Sequence, residues 1–319
     1  MTTELLGIHH VTSMTDDIVR NYKFMTEVLG MRLVKKTVNQ DDIHTYHTFF
    51  ADDIGTPGTD ATYFDFPQTL KGRPGTNSIS RIGLRVPSDA ALDYYKTRFE
   101  QFDVEHEEIQ ELFSRKILRF NEPDGQSYQI FSDEHDQGVR PGTPWKKGPV
   151  PREYAIYGLG PVEITVSYFQ EFLSILTGIY GFRLSRQEGK QILLEVAEGG
   201  NGGSIILIED TESPQAMQGD GEVHHVSFRV ADRKALEGWL NLYKERQLPN
   251  SGLVNRFYFE ALYARIGHIL IELSTDGPGF MEDEPYETLG ESLSLPDFLE
   301  PERERIESQI RPFDTSRKE

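Results

Sequence analysis

Two short stretches near opposite ends of the chain, Gly7-Ile8-His9-His10-Val11-Thr12 and Glu222-Val223-His224-His225-Val226-Ser227, are near copies of each other. Each reads as a strand, and strand side chains alternate between faces. Only one histidine of each pair can face a given side. If the second of each pair faces inward, His10 and His225 meet across a shared cavity while His9 and His224 point elsewhere. For either pair alone, an ordinary strand histidine is the plainer reading. Their repetition points instead to a fold built of repeated modules, with imidazoles from two of them turned toward a metal.

The rest of the chain supports that repetition, which is the first thing to seek in a sequence. Four units each read as strand, helix, then several strands. In the first, Thr15-Asp16-Asp17 caps a helix carrying Ile18, Tyr22, Met25 and Leu29, and Gly30 ends it. In the second, Ser88-Asp89 caps a helix with Leu92, Tyr95 and Phe99; in the third, a helix with Phe169, Phe172, Leu173 and Leu176 stops at Gly181; in the fourth, Asp232 caps a helix with Leu236, Trp239, Leu240 and Tyr243. Gly181-Phe182-Arg183-Leu184 repeats Gly30-Met31-Arg32-Leu33 in type and place. One strand is expected over Arg256–Arg265 and a closing strand over His268–Leu273. The fold class is therefore α+β, four βαβββ modules at 5–67, 77–132, 154–210 and 221–275. They group as an N-terminal domain, 1–135, and a C-terminal domain, 154–275. A Pro- and Gly-rich linker, 136–153, joins them, and an acidic tail, 276–319, follows. The tail is expected to be a surface-docked helix with a frayed end, and it is also a candidate contact for a homo-oligomer.

Composition narrows the partners. A net charge of −19 over 319 residues, with no basic stripe, argues against nucleic acid and anionic membranes. No apolar run approaches the ~20 residues of a membrane-spanning helix, and no basic-then-apolar leader opens the chain; the cytoplasm is the expected compartment. The chain has no cysteine, which removes disulfides, thiolate catalysis and cysteine-ligated zinc or iron–sulfur sites.

Laid over one another, the four first strands put His10, Arg81, Glu163 and His225 at one position, and the closing strands offer Glu272 in the fourth unit against Gln129 in the second. His10, His225 and Glu272 make two imidazoles and a carboxylate, the donor pattern of non-haem Fe(II) oxygenases. Mn(II) suits the same donors, and zinc would bind them without redox chemistry. Glu272 lies among Ile269, Leu270, Ile271 and Leu273, where a carboxylate needs a metal or an ion-pair partner. Asp65 is the rival carboxylate.

At these residues the chain resembles the vicinal oxygen chelate superfamily, which includes glyoxalase I, bleomycin-resistance proteins and extradiol dioxygenases. More narrowly it is similar to bacterial hydroquinone ring-cleaving dioxygenases. The matching stretches are Ile8–Thr12, Arg32–Asn39, Thr45-Tyr46-His47, Gly55–Thr59, Val223–Val226, Arg256–Tyr263, Ile271-Glu272 and the tail motifs Leu289-Gly290-Glu291 and Leu299-Glu300-Pro301. The resemblance implies two vicinal-oxygen-chelate domains whose curved mixed sheets form an open barrel-like cavity with the helices outside. It implies Fe(II) on His10, His225 and Glu272, O2 as co-substrate, and a small aromatic substrate, in the detoxification of aromatics or quinones. It further implies roles for His9 as acid/base or as a prop for His10, for Arg256 at developing negative charge, for Tyr263 at a substrate hydroxyl, and for Thr12 as a substrate-binding residue. His47 is a candidate substrate-binding residue, with a hydrogen-bonded strand histidine as the plainer reading. The turn Arg265-Ile266-Gly267-His268 departs from the more usual Pro-Gly type.

Two other functions share the fold. A glyoxalase-like isomerase or lyase on zinc or nickel commonly needs a second carboxylate, and the first unit has no clear counterpart of Glu272. A non-enzymatic binder of an aromatic compound has no need of the triad.

Overall fold

The computed structural model describes residues 3–317; residues 1–2 of the expected N-terminal domain and 318–319 of the tail lie outside it. Four βαβββ modules are present. The first comprises β1 (Ile8–Thr15), α1 (Ile18–Lys23), β2 (Arg32–Asn39), β3 (Asp42–Ala51) and β4 (Asp60–Asp65). The second runs through β5 (Ser78–Val86), α2 (Asp89–Gln101), β6 (Gln110–Leu112), β7 (Arg115–Asn121) and β8 (Ser127–Ser132). The third has β9 (Gly158–Val166), α3 (Phe169–Gly178), β10 (Arg183–Glu188), β11 (Gln191–Glu195) and β12 (Ser204–Glu209), and the fourth β13 (Val223–Val230), α4 (Arg233–Glu245), β14 (Asn250–Asn255), β15 (Glu260–Ile266) and β16 (Ile269–Thr275). Within each module the first and last strands are parallel neighbours, joined through the helix.

The modules form two curved eight-stranded mixed sheets, ordered β14-β15-β16-β13-β1-β4-β3-β2 and β10-β11-β12-β9-β5-β8-β7-β6. Each sheet draws one module from each half of the chain. The first and fourth modules join by antiparallel pairing of β1 with β13, the second and third by pairing of β5 with β9. This places the two His-His strands side by side. One core lies between sheets and helices: Ile18 from α1, Leu92 and Tyr95 from α2, Phe172 from α3 and Trp239 from α4 pack with Val11, Ile82, Ile164 and Val226.

Local sequence explains the helix ends. Asp17 accepts from the backbone N–H groups of Val19 and Arg20, both at 3.1 Å, and Asp232 from that of Ala235 at 2.8 Å. Ser88 occupies the same place on α2, but its hydroxyl makes no capping bond, contrary to expectation, and Asp89 pairs with Lys116 instead. α1 does not continue as a regular helix to Gly30; it widens into a π-turn over Phe24–Val28. Gly30 and Gly181 both have φ of +75°, the left-handed conformation glycine accepts at low cost, so the sequence repeat is also a conformational repeat.

Three other expectations change. The strand expected over Arg256–Arg265 is broken at its start: Arg256–Phe259 form the connection between β14 and β15, with Phe257 at φ +71°. The register places Glu163 opposite Arg81 as Thr12 stands opposite His225, so Glu163 matches Thr12 rather than His10. The tail is not frayed through residue 317. A short helix, α5 (Arg303–Glu307), forms, and Leu295, Leu299 and Ile306 bury against Val38 of β2. Lys35, wholly buried on β2, pairs with Asp283 and Glu284. The tail thereby covers edge strand β2 and backs one wall of the first half-barrel. Residues 136–153 are held as well: Thr143 exchanges bonds with Asp52 and Asp53, and Arg85 binds Asp136 at 3.1 Å.

Candidate metal centre

The concave face of the first sheet brings His10, His225 and Glu272 together. His10 Nε2 lies 3.1 Å from Glu272 Oε2 and 3.2 Å from His225 Nε2, and His225 Nε2 lies 2.8 Å from the same carboxylate oxygen. All three are buried. Register produces this: β1 and β13 are neighbours, and β16 lies parallel to β13 with Glu272 beside Ser227. Burial alone would raise the Glu272 pKa, but His10 and His225 hold it well below the usual carboxylate range; burial lowers that of His225. The rival Asp65 is elsewhere, in a two-point ion pair with Arg311 of the tail.

Each triad histidine is backed by the histidine before it. His9 Nδ1 lies 2.8 Å from His10 Nδ1, and His224 Nδ1 lies 2.8 Å from His225 Nδ1. His9 Nε2 is 3.1 Å from the Thr275 carbonyl, which can only accept, so this nitrogen carries the proton. His9 Nδ1 is then an acceptor, His10 Nδ1 the donor to it, and the lone pair of His10 Nε2 is left pointing at the triad. Burial and the neighbouring His10 lower the His9 pKa to about 3, keeping it neutral. His9 does not line the cavity. His224 does, contrary to the expectation that it points away.

The cavity in front of the triad has a volume of ≈ 320 Å³. Phe49, Phe64, Phe66 and Phe259 wall it, with His10 and Phe259 rings 5.2 Å apart. His47, Arg256 and Tyr263 also line it. His47 Nε2 bonds Thr62 Oγ1 at 3.0 Å, Thr62 bonds Thr12 at 2.7 Å, and Thr12 Oγ1 lies 3.0 Å from His225 Nε2. Thr12 is fully buried and does not line the cavity, so the expected substrate contact is replaced by contacts with His225 and Thr62. Arg256 Nε donates to the Tyr263 hydroxyl at 3.0 Å. Burial works against the Arg256 charge, but Tyr263 and Asp41 raise its pKa above the ordinary value. Burial and the Glu272 charge push the Tyr263 pKa well above that of a free phenol, so it is a neutral donor.

Sequence reasoning missed several residues around the site. Ser274 Oγ donates to Glu272 Oε1 at 3.0 Å and is itself 2.8 Å from Ser227 Oγ, fixing the carboxylate from behind. Ser227 and Ser274 alternate in step with His225 and Glu272, a signal open to inspection once the strands are paired. Thr62 and Asp41 carried no such mark. A second carboxylate cluster, Asp16, Asp124 and Asp220, is neutralised from within by Arg20 and Lys71.

Among the described residues no helix is long and apolar enough to cross a membrane. Residues 7–130 match the family model of the glyoxalase/bleomycin resistance protein/dioxygenase superfamily. The chain is 46% identical over 313 residues to the "Putative ring-cleaving dioxygenase MhqA" of Bacillus subtilis, covering 96% of this chain and 98% of that one. It is 29% identical over 308 residues to the chlorohydroquinone/hydroquinone 1,2-dioxygenase of Sphingobium indicum, covering 92% of each. A crystal structure of a Bacillus subtilis "putative dioxygenase" superposes with a TM-score of 0.91 at 31% identity, over 99% of this chain and 100% of that one. The chain thus belongs to the glyoxalase/bleomycin resistance protein/dioxygenase superfamily, among its ring-cleaving dioxygenases.

Proposed function

We propose that this enzyme is a Fe(II)-dependent, extradiol-type dioxygenase that opens the ring of a hydroquinone or catechol with O2, in the disposal of small aromatics or quinones. The observation that carries this is a buried set of two imidazoles and one carboxylate whose free side faces an aromatic-walled cavity. The three donor atoms lie 2.8–3.2 Å apart, close enough to converge on one ion, and two imidazoles with one carboxylate are a donor set that suits Fe(II), with Mn(II) as the alternative. A metal held by His10, His225 and Glu272 would bind a substrate oxygen and O2 and carry electron exchange between them.

The remaining chemistry belongs to the chain. Ligand pockets run from about 300 to 1,000 Å³, so ≈ 320 Å³ suits one ring between Phe49, Phe64 and Phe259. The Arg256 guanidinium faces the charge of a phenolate or of developing oxyanion character. Tyr263, neutral and fixed by Arg256, donates to a substrate oxygen. His47, kept neutral by burial and the neighbouring His10 and His225, offers a hydrogen bond at the wall. His9 is a positioning residue: it sets the tautomer of His10 and does not touch substrate.

The isomerase alternative lacks a donor. Thr62 pairs with Thr12, two residues past His10, as Glu272 pairs with Ser227, two residues past His225. Thr62 therefore stands where a second carboxylate would be needed. Elemental analysis of anaerobically purified protein, with O2 uptake on methylhydroquinone for wild type and His225→Ala, tests the reading. About one iron per chain and O2 consumption, both lost in the variant, are expected. Zinc or nickel with no O2 uptake would favour the isomerase, and failure of Fe(II) to bind or activate would favour a binder.

A further inference from the structure

The second half-barrel has its own polar constellation at the positions of the metal centre. Gln129 pairs with Gly83 and Arg119 as Glu272 pairs with Ser227 and Tyr263. Arg81, two residues before Gly83, takes the place of His225. Glu163, opposite Arg81, takes the place of Thr12. Gln191 pairs with Ile208 as His47 pairs with Phe64. Alternation puts these side chains on the concave face: Tyr128 and Ile130, flanking Gln129, belong to the main core, whereas Phe131, in step with Gln129, packs on the other side with Ile117, Leu193 and Ile206.

Arg81 Nη1 donates to the Tyr128 carbonyl at 3.4 Å, but other atoms of these residues lack hydrogen-bond partners. Both ends of the Gln129 amide, Arg81 Nε, Arg119 Nε, Glu163 Oε2 and Gln191 Oε1 are buried without a hydrogen bond among the described residues, although such atoms are normally paired in native proteins. Gln129 is 0% exposed. Glu163 Oε2 lies 3.7 Å from Arg81 Nε and 3.9 Å from Arg119 Nη2, too far for hydrogen bonds, while Oε1 already accepts from Ser80 at 3.2 Å. The two guanidiniums, 20% and 21% exposed, form the rim above the buried amide.

We propose that this half-barrel is a metal-free binding site for a small carboxylate anion that also bears a hydroxyl group. Arg81 and Arg119 face the buried carboxylate of Glu163, while Glu107, the other carboxylate acting on Arg81, is solvent-exposed and screened, so the buried part of the site favours an anion over a cation. The N–H groups of Arg81 and Arg119 receive the ligand carboxylate. Glu163 Oε2 accepts from its hydroxyl and the Gln129 amide N–H donates to that hydroxyl's oxygen, and Ile206 and Leu193 adjoin its apolar body. The site is independent of the metal centre.

The test is calorimetric titration of chelator-treated, full-length protein with 4-hydroxybenzoate and with glycolate, for wild type, Gln129→Leu, Arg119→Gln and His225→Ala. Gln129→Leu replaces the amide with an apolar side chain of comparable size that has no hydrogen-bonding groups, and its melting temperature reports folding. At least one probe is expected to bind wild type and His225→Ala equally, with affinity about tenfold weaker in Gln129→Leu and in Arg119→Gln. Failure of both probes to bind, or binding lost in His225→Ala and retained in the other two variants, would overturn the proposal and leave the six atoms as a hydrated cluster.

Discussion

Asp41 and Arg256 meet in a two-point ion pair, Oδ1 at 3.2 Å from Nη1 and Oδ2 at 2.9 Å from Nη2. Asp41 lies in the turn between β2 and β3, and Arg256 in the connection from β14 to β15. These elements are the two outer hairpins of the first sheet, so the pair ties its open edges across the cavity. Gln40 adds a bond from Nε2 to the Arg256 carbonyl at 2.9 Å. The Asp41 side chain is 72% exposed, which makes the pair a weak and screened fastening.

Asp41→Asn is therefore expected to loosen the mouth and free Arg256. The KM for a hydroquinone should rise roughly 3- to 10-fold with kcat within about twofold, as steady-state O2 uptake will show. A fall in kcat alone would mean that Asp41 serves only the reacting step.

Arg256 and Tyr263 are bonded to each other, Nε to hydroxyl at 3.0 Å, and both serve substrate oxygens in the proposed chemistry. Arg256→Gln and Tyr263→Phe should each lower kcat/KM by about 10²-fold, and the double variant should lose much less than the product of the two. Additive losses would place them in separate roles.

The chain from the Thr275 carbonyl through His9 to His10 predicts a metal-affinity effect without loss of a ligand. His9→Ala should weaken Fe(II) or Mn(II) binding about 10- to 100-fold, read by competition with a chelator. The wild-type protein should melt higher as metal is added, by ~2.7 kcal/mol at 100 times Kd, and His9→Ala should need more metal for the same shift. An unchanged affinity would remove His9 from the site.

Glu122, buried between Asn21 and Tyr63, has its pKa raised by burial from 4.5 to about 7. The folded state holds this proton more tightly than the unfolded chain. Its contribution to stability is fully present below about pH 4.5, falls as pH rises toward about 7, and is constant above that. Glu122→Gln should stabilise the protein at pH 8 by about 1–3 kcal/mol and by much less at pH 5, measured by urea unfolding at both.

Much of this was legible before any coordinates. The Asp17 and Asp232 caps, the repeated Gly-x-Arg-Leu stretch and the doubled His-His strand carry local chemistry, so the module count and the convergence of His10, His225 and Glu272 are legible in the sequence. What could not be read depends on which strands meet. Overlay of the first strands sets Glu163 beside His10, whereas the pairing of β5 with β9 puts it opposite Arg81, at the place of Thr12. Asp41 and Thr62 acquire meaning only when the outer hairpins and the parallel β1–β4 pair are in place. The tail resembled a solvated end because its charges dominate its composition, while the few apolar residues that anchor it, Leu295, Leu299 and Ile306, are widely spaced.

The first sheet joins the earliest module to the last, and this orders events during synthesis. β1 with His10 emerges first, yet its antiparallel partner β13 and the Glu272 strand come from the far end of the chain. Contacts so distant in sequence close slowly, and a growing chain has domain-sized segments to fold before them. The second and third modules, adjacent in sequence, can complete their sheet while β1 still waits. The set of His10, His225 and Glu272 exists only once residue 272 has been made, so chains terminated before it cannot bring the three side chains together.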